Sequence, residues 1–183
     1  MSEWQKVKEK TLINRFGKKV KQVLFKNQIN GKDEEFILFG QRDGATILPL
    51  TPEGMVVTIL EFKQGANKIL CNLPSGTADF EEEPPAEIVK RELLEETGYR
   101  AKEIIPLEPP FWMASRSSWT KFYTFLGLGC EKVKEEIDKS EIVEVKLHSL
   151  KDWLKMAQTE IEEPGAIIAT FRALPYLTQH LGG

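Results

Sequence analysis

Along the first half of the chain, apolar residues come in short runs separated by turn formers, which is the pattern of strands. Val20-Lys21-Gln22-Val23-Leu24-Phe25 has β-type composition, and Asn30-Gly31-Lys32-Asp33 is a turn signal. Glu35–Phe39 resumes an extended pattern, so roughly Trp4 to Phe39 reads as strands and turns. Ala45–Leu50 is a short apolar strand, and Pro52-Glu53-Gly54 turns it into Met55–Leu60. That second run is almost wholly apolar, as expected of a strand covered on both faces. Lys68–Leu73 is a further strand candidate, ended by the turn Pro74-Ser75-Gly76.

The period then changes. An acidic loop, Asp79 to Glu83, leads into Pro84-Pro85 and a helix expected over Pro85–Thr97. Proline is tolerated in a first turn because its missing N–H has no partner there. Acidic residues ahead of it suit the positive end of the helix dipole. Gly98 can adopt the left-handed conformation that ends helices. Strands are expected again at Lys121–Leu128 and Ile142–Leu147, and helices at Leu150–Met156 and Gly165–Leu177. Strands flanked by helices on a largely buried sheet argue an α/β sandwich.

Composition narrows the class. The 183 residues suit one domain with a substantial core, or a core plus a small extension. At 41% hydrophobic and 29% charged, the composition is that of an ordinary globular protein. A net charge of −3 offers no basic field of the kind nucleic-acid binding needs, so an acidic small molecule would have to be met by a metal ion or a few placed cations. Cys71 and Cys130 have neither metal-ligand spacing nor a disulfide framework and read as reduced thiols. The charged stretch Met1–Lys10 lacks the apolar core of a signal peptide, and no run approaches the ~20 apolar residues of a membrane span. The expectation is a soluble, cytoplasmic protein.

Chemistry concentrates in Arg91-Glu92-Leu93-Leu94-Glu95-Glu96-Thr97-Gly98. Glu92, Glu95 and Glu96 are spaced three and four apart, so they project from one helical face. Val89 and Leu93 can hold the opposite face against the sheet. Neighbouring carboxylates repel one another. A hard divalent cation relieves that repulsion, since magnesium selects oxygen ligands and also uses phosphate oxygens. Glu-rich solvated helices are common, and the acidic face alone would leave that reading ahead. The fixed pattern reverses the odds: Arg91, Glu92, Glu95, Glu96 and Gly98 together match by chance on the order of once in a million start positions.

The stretch Gly76–Tyr99 resembles the Nudix box: glycine, five residues, glutamate, seven residues, then Arg-Glu-apolar-x-Glu-Glu-x-Gly-apolar. Arg91 to Tyr99 match at every position. Glu83 keeps the distance to Arg91 but lies one residue too far from Gly76, whereas Glu82 does the reverse. Glu83 is favoured, because helix spacing is rigid while the loop Thr77–Glu82 can absorb an insertion. Glu61-Phe62-Lys63-Gln64-Gly65 and Leu73-Pro74-Ser75-Gly76 are similar to the family branch that hydrolyses ADP-ribose and other nucleoside diphosphate sugars, which has Gln-Tyr-Arg and Leu-Pro-Ala-Gly there. Thr159–Ile161 and Ala166–Thr170 resemble its closing helix. The resemblance implies a Nudix-type α/β/α sandwich with a mixed sheet over residues 41–183, preceded by a small β-region, residues 1–40. In that branch the N-terminal strands often pair across a homodimer. Here, strands serving their own domain are an equally good reading.

The resemblance also implies roles. The carbonyl of Ser75 and the carboxylates of Glu92, Glu95 and Glu96 would ligate Mg2+, for which Mn2+ can substitute. Arg91 would orient a glutamate, Glu83 or Glu95. Glu141 matches the family's late acidic loop best as the base, with Asp138 second. Lys63 and Arg116 fall at substrate-contacting positions, although lysine for arginine loses the bidentate fork. Trp112 is either a base-stacking residue or an ordinary core or surface aromatic. The expected activity is Mg-dependent cleavage of ADP-ribose to AMP and ribose 5-phosphate. The alternatives are another nucleoside diphosphate derivative such as GDP-mannose, a triphosphate, or a sensing module without turnover. The expected partner is a small nucleotide sugar, with no nucleic acid and no membrane.

Overall fold

The apolar runs become strands, and the single strongly patterned acidic helix falls where its spacing placed it. The computed structural model describes residues 3–135 and 142–177. In chain order these are β1 (Gln5–Arg15), β2 (Lys18–Lys26), β3 (Asp33–Gly40), β4 (Gly44–Leu50), β5 (Met55–Lys63), β6 (Lys68–Asn72) and β7 (Ser75–Thr77). Then come α1 (Pro85–Thr97), β8 (Tyr99–Arg100), β9 (Glu103–Pro106), β10 (Phe111–Trp112), β11 (Lys121–Leu128), β12 (Glu131–Lys132), β13 (Ile142–Ser149), α2 (Leu150–Thr159) and α3 (Pro164–Leu177).

Two compact units result: Met1–Asp43 with Phe111–Lys121, and Gly44–Pro110 with Phe122–Gly183. In the first, β1, β2 and β3 form an antiparallel sheet. Phe16 and Gly17, both at positive φ (53° and 73°), make the tight β1–β2 turn, whose twist suits a two-residue hairpin. That turn was not foreseen, since an Arg-Phe-Gly-Lys stretch carries only one turn former. Segment Phe111–Lys121 joins this unit through backbone pairing that no local pattern announces. Phe39 N–H donates to the Ser117 carbonyl at 2.9 Å, and Thr120 Oγ1 bridges both backbone groups of Gln41.

The second unit is built on a mixed sheet in the order β11–β4–β5–β13, with β6 beside β5, β7 beside β4 and β9 beside β11. β11 runs parallel to β4, and β13 antiparallel to β5. Strand alternation sorts the core into two layers. Ala45, Ile47 and Phe125 face α1 with Ile88, Val89 and Leu93. Leu48, Leu50 and Leu126 face the other way, onto Trp153, Ala166, Ala169, Ala173 and Leu177 of α2 and α3. The buried indole of Trp153 donates to Thr170 Oγ1 at 2.8 Å, so its one polar atom is satisfied. The sandwich expected from the sequence is thus the one observed. Ser75-Gly76, read as a turn, continues instead into the short strand β7, because Thr46, Ala45 and Gly44 lie alongside to pair with it.

Candidate active site

Helix α1 starts at Pro84-Pro85 and stops at Gly98, which sits at φ 77° and donates its N–H to the Leu94 carbonyl at 3.0 Å. Ile88, Val89 and Leu93 are buried against the sheet, so the helix is locked at one rotation. That rotation turns Glu92 and Glu96 toward the loop Leu73–Thr77, while Glu95 remains half exposed. Glu96 accepts the N–H of Ser75 at 2.9 Å. The fit at Gly76 is tight: a Cβ there would lie 1.8 Å from Oε1 of Glu92. A Gly76→Ala variant should therefore push that carboxylate aside. We expect about a hundredfold loss of turnover with an unchanged circular dichroism spectrum.

Arg91 is the hub of the cluster. Its guanidinium lies 2.7 Å from Glu92, 3.2 Å from Asp79 and 3.6 Å from both Glu83 and Glu95, and it donates to the Thr77 carbonyl at 3.1 Å. The nearest carboxylate is therefore Glu92 rather than Glu83 or Glu95, because the guanidinium bends back toward the Thr77 strand, where Glu92 also points. Among the described residues no three His, Cys, Asp or Glu side chains converge closely enough to cage an ion; Arg91 stands between the acids.

The acidic loop shows how the extra residue is taken up. Glu82 adopts φ 65°, a left-handed conformation rare outside glycine, and is exposed. Glu83 turns inward, its side chain 7% exposed, and its Oε2 accepts the N–H of Asp79 at 2.6 Å. The insertion is thus spent at Glu82, and Glu83 reaches the arginine.

Electrostatically the site is strained toward the neutral form. Burial pushes the Glu96 carboxyl up to about 9; the Ser75 N–H opposes this, Glu92 and Glu61 add to it, and Lys63 counters. Burial also raises Glu92, against the opposing charge of Arg91. A buried carboxylate with too few positive partners is a group that gains from a cation. Hard oxygen donors fit a hard divalent ion, so these residues suit the metal that the pattern implies.

Of the other residues singled out in the sequence, Lys63 belongs to this unit and pairs with Glu61 at 2.8 Å. Arg116 belongs to the first unit, where it lines a cavity of about 380 Å³ with Trp4, Phe25, Phe36, Trp112 and Trp119. Trp112 is half exposed, with the Lys121 ammonium 4.9 Å from its ring centre. Glu141 and Asp138 lie outside the described residues. Glu61, Asn72 and Asp79 were overlooked. Glu61 had a signal, since it is the one acid in the apolar run Met55–Phe62.

A model of the NUDIX domain matches residues 40–170. The chain belongs to the Nudix family. ADP-ribose pyrophosphatase of Bacillus subtilis (strain 168) is 29% identical to this Nudix hydrolase over 143 residues, covering 71% of this chain and 70% of that protein. A crystal structure of an ADP compounds hydrolase superposes with a TM-score of 0.83 at 18% identity, covering 99% of this chain and 97% of that one, and shows the shared fold. No helix among the described residues is long and apolar enough to cross a membrane.

Proposed function

We propose that this Nudix hydrolase cleaves the diphosphate bond of a nucleoside diphosphate sugar, with ADP-ribose giving AMP and ribose 5-phosphate. The observation that carries the chemistry is the helix-mounted pair Glu92 and Glu96 against the Ser75–Thr77 strand, with Glu95 beside them on Arg91 and with Glu96 buried and short of positive charge. The choice of substrate rests on the likeness to ADP-ribose pyrophosphatase and to the Glu61–Gly65 and Leu73–Gly76 motifs. Glu92, Glu95 and Glu96, with the Ser75 carbonyl, would hold magnesium. When bound, magnesium offsets diphosphate charge and makes water a better nucleophile. Water then adds to one phosphorus as the bridging oxygen leaves with the other phosphate. Arg91 keeps the acids apart and oriented, and Lys63 presents a cation toward the same side. We assign the proton-accepting role to Glu141, with Asp138 as the alternative.

Incubation with ADP-ribose and Mg2+, followed by separation of products, should yield AMP and ribose 5-phosphate in equal amounts. EDTA should abolish the reaction. Faster cleavage of GDP-mannose or of a nucleoside triphosphate would replace the substrate assignment. Tight binding with no turnover on any of these would make the protein a sensor.

We further infer a homodimer formed through the three-stranded sheet. Pairing register sets Ile13 opposite Val20 and Val20 opposite Phe39, with Ile37 opposite Gln22, and Ile13, Ile37 and Phe39 are each about half exposed. Sedimentation should give twice the mass of one chain, and Ile37→Lys should return it to one.

A further inference from the structure

Strand alternation at the end of β5 puts Glu61 and Lys63 on one side and the half-exposed Phe62 on the other. Glu61 is an acid in an apolar strand, its side chain only 5% exposed. Its Oε1 takes two donors: the Lys63 ammonium at 2.8 Å and the Asn72 amide at 2.8 Å. Asn72, itself buried, accepts the N–H of Leu73 at 2.8 Å and places its amide 3.4 Å from Ser75 Oγ. Ser75 in turn donates its N–H to Glu96. One buried carboxylate thus ties a cation on β5 to the turn that meets the acidic helix.

Burying a charge is costly unless partners hold it, and hydrophobic residues of the same volume would fill this place without that cost. Lysine's long stem leaves its ammonium loosely placed unless something tethers it. Resting on the diphosphate hydrolysis argued above, we propose that Glu61 is a positioning residue: it aims the Lys63 ammonium at the substrate phosphates and, through Asn72, braces the Ser75 turn. The two arms have different readouts. Lys63 acts on phosphate binding and therefore on KM. Asn72 acts on the placement of Ser75 and Glu96 and therefore on kcat.

The experiment is a double-mutant cycle with Glu61→Gln, Lys63→Met and the pair, assayed with ADP-ribose and Mg2+ alongside melting curves. Glu61→Gln keeps the shape and an acceptor for Asn72 while removing the charge that holds Lys63. Each single change should raise KM about tenfold, the scale of lost outer contacts to a charged site, with kcat within about threefold. The pair should be no worse than Lys63→Met alone. Additive losses, or lower melting with unchanged KM, would overturn the proposal.

Titrating the same proteins with ADP and Mn2+ by calorimetry reads phosphate binding whatever the true substrate. Non-additive loss there, without cleavage of ADP-ribose, would sink the substrate assignment and keep Glu61 as the positioning residue. Wild-type protein that fails to bind ADP with Mn2+ would sink both. Should Glu61→Gln not fold, Lys63→Met and Asn72→Ser decide: the first should change KM and the second kcat. The same parameter moving in both would reject the scheme.

Discussion

The Glu96→Gln variant is expected to lose about a thousandfold in kcat/KM while becoming more stable than the parent when no metal is present. A thousandfold corresponds to about 4 kcal/mol, the scale of charge stabilisation that a metal ion supplies to a phosphoryl group. The gain in stability follows from the carboxyl's raised pKa of about 9, caused first by burial. Between about pH 4.5 and 9 the folded protein keeps a proton that the unfolded chain has released. Unfolding therefore becomes easier as pH rises through that window, by up to about 1.4 kcal/mol per unit for one proton. Above 9 both states are ionised and the dependence ends. Glutamine keeps the hydrogen bond to Ser75 N–H and has nothing to ionise, so most of the slope should vanish. Glu92, raised by burial, and His148, lowered by burial, are among the groups that contribute to what remains. Urea titrations of metal-free protein at pH 6 and 8.5 measure this directly. Equal slopes in parent and variant would show that Glu96 is ionised without metal. Magnesium should flatten the parent's slope as well, because binding the ion displaces the proton.

Arg91→Ala should give the second-largest effect, and of a different kind. Four carboxylates lie within 3.6 Å of the guanidinium, and removing it leaves them facing one another. Breaking one partner from a fully buried pair costs roughly 3–5 kcal/mol. Arg91 is about a quarter exposed and Glu95 half exposed, so solvent screening reduces this to about 2 kcal/mol. The loss should be greatest without divalent ions and should shrink in excess Mg2+, since a cation can take over part of the neutralisation. Catalysis should not recover in parallel, as Glu92 loses its closest fixed contact; about a hundredfold loss of kcat/KM is expected. Thermal melts with and without Mg2+ test the first half. If magnesium restored activity as fully as stability, the arginine would serve only to balance charge.

Much of this could be read in the residue order. The helix Pro85–Thr97, its glycine stop and its buried Val89–Leu93 stripe follow from local rules of period and capping, which act within a few residues. The same is true of β4, β5 and β11, whose apolar content has no place except inside a covered sheet. Strand β1 was beyond reach in detail, because all eleven residues are exposed and no burial pattern marks them. The short β7, β8 and β9 were missed for a related reason: a strand of two to four residues is defined by its neighbour rather than by its own composition.

For the site, spacing alone put Glu92, Glu95 and Glu96 on one side of the helix, since the period of about 3.6 residues makes residues three and four apart neighbours. Only the fold decided which acid Arg91 grips, that Glu83 turns in while Glu82 absorbs the extra residue, and that Glu61 reaches Asn72 across a β-pair. Segment Phe111–Lys121 joined the N-terminal strands by the same kind of long-range contact. The Glu61–Asn72 pair spans 11 positions and the Gln41–Thr120 pair 79, and even the short-range grip of Arg91 on Glu92 depends on where the Thr77 strand lies. Such contacts depend on which surfaces meet once the chain has closed, and no local periodicity encodes that.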